Sequence, residues 1–187
     1  MIEIPKRFQD ASLKDWPEGS VIRTILDAYL ENFASLSGEG QAPVFLGNSG
    51  VGKSRAAAAI LNAVILGSNG RYTGAWFSTS EVLNRLLDYR DMYNSSMYNI
   101  ILTALKQTDI IVLDDFTTLR DAPRLKEYFW MILEARYVAQ LPTVLTANFY
   151  INSDEDVEEF WHNMSNHFGV PFVRRIKEIG KGLTLIL

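Results

Sequence analysis

Apolar positions along this chain fall into five short runs, separated by longer segments in which they recur at helical spacing. The runs lie at 43–46, 72–77, 110–114, 143–147 and 183–187. Ile110, Ile111, Val112 and Leu113 follow one another with no polar alternation, as in a strand buried on both faces of a parallel sheet. Val21, Ile22, Ile25, Leu26, Tyr29, Leu30 and Phe33 instead predict a helix over 18–36. A second is predicted over 54–66, where a run of four alanines leads into Ile60, Leu61, Val64 and Ile65, and Gly67 supplies the stop. Ser78 or Ser80 would cap a third, whose apolar face is Val82, Leu83, Leu86 and Leu87. Three more are predicted over 98–106, 124–139 and roughly 154–168. Asn152 or Ser153 would cap the last, and its acidic first turn (Asp154, Glu155, Asp156) suits the positive end of a helix dipole. Strands alternating with helices predict an α/β fold of three layers, with a parallel five-stranded sheet covered on both faces. Residues 1–17, with Pro5 and Pro17, read as an irregular, extended arm, and 18–187 as a single domain. The stretch 172–177 (Phe-Val-Arg-Arg-Ile-Lys) is short and basic, with no element assigned to it.

Between the first strand and the second helix lies Gly47-Asn48-Ser49-Gly50-Val51-Gly52-Lys53-Ser54. A glycine, four residues and then Gly-Lys-Ser, placed between a strand and a helix, is the pattern of a phosphate-binding loop. Glycines let successive backbone N–H groups turn inward onto phosphate oxygens. Lys53 would reach the β- and γ-phosphates, the Ser54 hydroxyl would ligate Mg²⁺, and the helix N-terminus would face the same anion. This is the sequence of a nucleoside-triphosphate site.

The strand at 110–114 ends in Asp114 and Asp115. Ligands of open α/β sheets bind at that end of the strands, and carboxylates closing a buried strand need a cation or water. Asp114 reads as the Mg²⁺-associated carboxylate, and Asp115 as the base or orienter of an attacking water. Thr146 and Asn148 would emerge at the same end of the next strand, to hold that water or sense the γ-phosphate. Alternatively Asn148 caps the following turn.

Composition narrows the partners. The chain has 187 residues, 48% hydrophobic and 21% charged, which suits a folded domain rather than a disordered one. Cysteine is absent, so disulfides, thiol nucleophiles and zinc–thiolate sites are excluded. His162 and His167 have no cluster around them and do not suggest a metal site. A net charge of −4 argues against a strongly basic nucleic-acid binder, although Arg120, Arg124, Lys126, Arg174 and Lys177 are candidates for a local DNA contact. No apolar run approaches the roughly 18 residues of a membrane span, and the first residues lack the apolar core of a signal peptide. The expectation is a cytoplasmic protein, or one acting in a host's cytoplasm.

Taken together these residues resemble the AAA+ ATPases, and within them the bacterial helicase loaders of the DnaC/DnaI type with their IstB-like relatives. Residues 4–13 look like the arm preceding the ATPase core of loaders. Residues 47–54 match Walker A, 110–115 match Walker B with Asp-Asp for the commoner Asp-Glu, and Thr146-Ala147-Asn148 is similar to sensor 1. Glu134-Ala135-Arg136-Tyr137 before Pro142-Thr143 also fits the loader pattern. Arg175, in the basic stretch, falls where the family places its arginine finger. The resemblance implies an AAA+ core with strand order 5-1-4-3-2, ATP and Mg²⁺ as cofactors, and ATP hydrolysis with Lys53, Asp115, Asn148 and Arg175 as the catalytic set. It further implies a replicative DNA helicase and single-stranded DNA as partners, and a homo-oligomer in which Arg175 reaches a neighbour's γ-phosphate. Phe8 and the helix after Pro17 would border the adenine.

Two departures from the family pattern shape the expectation. No residues are left for a helical lid with a sensor 2 arginine, and no helicase-binding domain precedes the arm. Asp115 is one methylene shorter than the usual glutamate, so slow turnover is expected. Competing readings are an IstB-like transposition helper acting on duplex DNA, a small-molecule P-loop kinase, which would need an acceptor pocket and a lid, and a nucleotide-dependent interaction module with negligible hydrolysis.

Overall fold

The structure, a computed structural model, describes residues 4–119, 122–149 and 155–187. Five strands form one parallel sheet: β1 (Val44–Gly47), β2 (Gly74–Ser78), β3 (Ile110–Asp114), β4 (Thr143–Asn148) and β5 (Thr184–Ile186). Their spatial order is β2-β3-β4-β1-β5, which is the expected 5-1-4-3-2 read from the other edge. The residues of β1, the apolar run of β3 and the first five residues of β4 are buried, as strands in the middle of a parallel sheet covered on both faces should be.

The helices are α1 (Val21–Glu31), α2 (Phe33–Gly38), α3 (Lys53–Gly67), α4 (Thr79–Asp91), α5 (Ser95–Gln107), α6 (Pro123–Val138), α7 (Glu155–Phe168) and α8 (Val170–Ile179). From β1 the chain crosses to the far edge through α3, then steps back across the sheet through the later helices. With right-handed crossovers, that reversal puts α3 on one face and the α4–α8 group on the other. The packing agrees: α3 lies against β1 to β4 with α1 on its back, while α4, α5, α6 and α8 pack among themselves. Ala56, Ala57, Ala58 and Ala59 are all buried, so this small-residue stretch brings α3 close to the sheet.

Local departures from the expected elements have local causes. The predicted helix over 18–36 breaks at Asn32, whose side-chain amide donates to the Ala28 carbonyl and ends α1. α5 starts earlier than predicted because Asn94 caps it, accepting from the Met97 N–H. The basic stretch 172–177 lies inside α8. Gly169 (φ +90°) turns the chain and Pro171 sits in the first helical turn, where its missing N–H costs nothing. Phe172, Val173, Ile176 and Ile179 then face the core. The arm is not extended throughout: Lys6–Phe8 and Leu13–Asp15 are single 3-10 turns, and Ala11 is buried in the core. Ser78 precedes α4 at the cap position, but its side chain makes no capping bond. Arg120, the proposed α7 caps Asn152 and Ser153, and Asp154 of its first turn lie outside the described residues.

Arg136 is a buried charge held by the fold alone. It is fully enclosed on α6 and donates to Thr143 Oγ1 and to the carbonyls of Leu105, Thr108, Asp109 and Pro142, at 2.8–3.4 Å. One guanidinium thereby joins the end of α5, the approach to β3 and the start of β4. Burial pulls its pKa down to about 9, which leaves it charged at neutral pH. Among the described residues no helix is long and apolar enough to cross a membrane.

Candidate functional site

The site is built at the C-terminal ends of the three central strands. Register places Gly47 of β1 beside Asn148 of β4, and Asp114 closes the neighbouring β3. The chain reverses direction across the sheet here, and such a switch point opens a crevice above the strand ends. A cavity of about 460 Å³ occupies it, bordered by Ser49, Gly50, Gly52, Lys53, Ser54, Asp114, Asp115 and Asn148, with Arg7, Phe8 and Arg55 on the arm side.

Residues 47–54 take the conformation their glycines permit. Gly50 (φ +86°) and Gly52 (φ +103°) lie in the region that L side chains rarely enter, and Gly52 opens directly into α3. Gly47 (φ +140°) has a second reason: a Cβ there would collide with the backbone of Leu187. The Lys53 side chain is 5% exposed and folds back, its Nζ donating to the carbonyls of Gly47 (2.9 Å) and Asn48 (2.5 Å). Burial lowers its pKa, while the charges of Asp115 and Asp114 act the other way.

The two acids are held differently. Asp114 Oδ1 accepts from Ser54 Oγ and from Thr146 Oγ1, both at 2.7 Å. Burial raises its pKa above the usual carboxylate value, against the pull of these hydroxyls. Asp115 has φ +53°, a left-handed conformation that Asp tolerates better than most residues. Its N–H donates to Thr146 Oγ1 (2.8 Å), its Oδ1 accepts from Thr117 Oγ1 (2.8 Å), and its Oδ2 accepts from Asn148 Nδ2 (2.8 Å). Thr79 Oγ1 donates to the Asp114 carbonyl (2.8 Å) and secures the end of β3 from α4.

The residues present suit a Mg²⁺–triphosphate. Ser54 and Asp114 offer hard oxygen donors already in contact, and the described residues contain no group of three or more His, Cys, Asp or Glu able to hold a metal alone. Mg²⁺ is characteristically held by one or two protein oxygens, with waters and phosphate completing its shell. The start of α3 adds a helix terminus suited to phosphate.

Lys53, Ser54, Asp114, Asp115 and Asn148 therefore converge on one cavity with the glycine loop. Arg175 is not among the residues bordering it. On α8 its Nε donates to Glu134 (2.9 Å) and one terminal nitrogen to Glu178 (2.8 Å), and its guanidinium lies 3.9 Å from the Tyr137 ring centre. These carboxylates hold its pKa well above the ordinary value. The side chain is 18% exposed, against 67% for Arg174. Sequence reasoning missed Thr117 and Thr79, because a threonine that supports a carboxylate across a fold leaves no spacing signal. It noticed Thr146 without its role: the hydroxyl is buried between the two acids rather than open to a water. Arg7 and Arg55 were also missed beside the phosphate loop.

The parallel sheet of this order, with the glycine loop after β1 and the acids after β3, is the fold of the AAA+ P-loop proteins. A solved structure of the DnaC helicase loader superposes with a TM-score of 0.82 at 23% identity, over 98% of this chain and 99% of that one. DnaI matches with a TM-score of 0.68 at 22% identity, over 100% and 94%. A replication initiator DnaA bound to AMPPCP and single-stranded DNA matches at 0.70 and 16%, over 98% of this chain and 50% of that one. At these identities the likeness is one of fold. No family model and no curated protein sequence matches the chain.

Proposed function

We propose that this chain is an ATP-binding and ATP-hydrolysing AAA+ protein of the helicase-loader type. Its nucleotide state would control assembly on single-stranded DNA, on a replicative DNA helicase, or on both. The observation that carries the reading is the convergence of the glycine loop, the Ser54–Asp114 pair and the Asp115–Asn148 pair on one cavity at three adjacent strand ends. The likeness to DnaC and DnaI over nearly the whole chain supports the loader assignment within that class.

In this reading the N–H groups of 48–53 and Lys53 bind the phosphates, and Ser54 and Asp114 hold Mg²⁺, which would neutralise charge on the β- and γ-phosphates. Asp115 accepts the proton of the attacking water, and Asn148 keeps its carboxylate aimed. Arg175 serves a neighbouring subunit. To do so it must exchange Glu134 and Glu178 for a phosphate, which makes turnover depend on assembly. A slow, assembly-dependent cycle suits a loader better than a motor.

The test is recovery of partners on the tagged chain from its native host, with ATP and without. Enrichment of a replicative helicase in the ATP arm is the expected result. Recovery of a transposase in its place would move the protein to the IstB-like class, and transfer of the γ-phosphate to a small acceptor would make it a kinase.

A further inference from the structure

Three cations border the cavity: Lys53, Arg55 and Arg7. Lys53 is engaged with the loop's own carbonyls. Arg55 is matched by Asp15 (2.8 Å) and Asp10 (3.3 Å) of the arm. Arg7 differs from both. Its side chain is exposed and forms no ion pair with a carboxylate among the described residues. Its guanidinium rests 4.5 Å from the centre of the Phe8 ring.

The backbone carrying Arg7 is nevertheless fixed to the helix that carries the phosphate loop. Arg55 donates to the Arg7 carbonyl (3.4 Å), and Asn62 Nδ2 donates to the carbonyls of Phe8, Gln9 and Ala11. The Phe8 ring also packs on Trp76 of β2, 5.7 Å between centres. The arm is therefore strapped across α3, with one uncommitted guanidinium at the opening. Arg7 borders the same cavity as Ser54, Asp114 and Asp115. A triphosphate brings several negative charges into a site where Asp114 and Asp115 already repel them, so a further cation has work to do there. A guanidinium stacked on an aromatic ring has lost part of its rotamer freedom before any ligand arrives, and its planar fork matches two phosphate oxygens.

We propose that Arg7 is a phosphate-binding residue, delivered in cis by the N-terminal arm to the polyphosphate of the bound nucleotide at the cavity it shares with the glycine loop. The inference rests on the nucleotide reading of the site. It also makes the arm a part of the binding site, so that nucleotide and the strap on α3 stabilise one another.

The test is ATP binding, with Mg²⁺ and over a series of salt concentrations, by the unaltered chain and by Arg7→Ala, Arg7→Lys and Lys53→Ala. Arg7 is exposed, so its variants are expected to melt with the unaltered chain. Arg7→Ala is expected to weaken ATP binding by about tenfold, as for loss of one charge-assisted contact, and to flatten the salt dependence. Arg7→Lys is expected to recover part of both. Unaltered ATP affinity in Arg7→Ala overturns the inference while leaving the nucleotide reading standing, provided Lys53→Ala has lost binding. A loss in Arg7→Ala that lysine does not restore and that leaves the salt slope unchanged also overturns it, because that outcome marks a packing role. If the unaltered chain fails to bind ATP, or Lys53→Ala binds it equally well, the nucleotide reading falls and this inference with it.

Discussion

Asn148 Nδ2 donates to Asp115 Oδ2 over 2.8 Å, across two neighbouring strand ends that are 33 residues apart in sequence. With Thr117 on the other oxygen, the carboxylate is oriented from both sides while its remaining lone pairs stay available. This predicts a separation of binding from turnover. Asp115→Asn keeps the side-chain shape and tolerates the positive φ, so ATP affinity should stay within about twofold. Turnover should fall by about 10²–10⁴, the usual contribution of a general base. Asn148→Ala should lose turnover by a smaller factor with binding retained. Steady-state hydrolysis and equilibrium binding on the same preparations check both, and full activity in Asp115→Asn would leave the interaction-module reading in its place.

Asp114 makes an opposite prediction for stability. Its pKa is raised, chiefly by burial, so ionising it costs the folded state. That cost is absent below the ordinary carboxylate range and develops as pH rises through the folded-state pKa. Both hydroxyls that bond it reach the same oxygen, Oδ1, so an asparagine can keep both bonds. Asp114→Asn is therefore expected to raise the melting temperature of the nucleotide-free chain at pH 7–8, by about 2–4 °C for each kcal/mol relieved. It should also abolish the further rise produced by Mg²⁺ with ATP. Thermal melts over a pH series give the sign, and the gain should shrink as pH falls toward the ordinary carboxylate range.

Arg175 can be tested by complementation. If it acts across an interface, Arg175→Ala still binds ATP but hydrolyses it at least about tenfold more slowly, a conservative figure for an arginine finger. Lys53→Ala should bind none, yet its Arg175 remains intact. Mixing the two inactive proteins should then restore measurable hydrolysis, since one supplies the nucleotide and the other the arginine. No recovery at any mixing ratio, with assembly shown to occur, would confine Arg175 to its bonds with Glu134 and Glu178.

Arg136 predicts a purely structural loss. Replacing it by methionine leaves four carbonyls and the Thr143 hydroxyl without their donor. Breaking a buried network of this kind costs about 3 kcal/mol or more, hence a fall in melting temperature of about 6–12 °C. Lysine should rescue little, because it lacks the planar fork. Nucleotide affinity per folded molecule should not change.

Much of the architecture was legible because it rests on local chemistry. The apolar runs gave all five strands to within two residues at each end, and the glycine spacing gave the loop. Asp114, Asp115 and Asn148 were legible as strand-end polar residues. Their mutual bonding was not, because Thr117, Thr79 and Thr146 act through contacts that no sequence period encodes. The helix at 170–179 was obscured by Gly169 and Pro171, which end one helix and start the next within three residues. The arm was illegible for another reason. Its short turns have no period, and its order comes from Arg55 and Asn62 on a different element.

The Thr146 hydroxyl accepts from the Asp115 amide and donates to the Asp114 carboxylate, so one buried atom bolts the tip of β3 to β4. A slide of about one ångström between those strands would break both bonds, since hydrogen bonds weaken steeply beyond their short range. The floor of the site is thus stiff, an anvil rather than a hinge. In the proposed reading, whatever differs between nucleotide states would be felt at the periphery, by the arm that crosses α3 and by the helix that carries Arg175. Hydrogen exchange should find the strand tips silent when nucleotide is exchanged, and the signal should sit in those two segments, near the opposite termini of the chain.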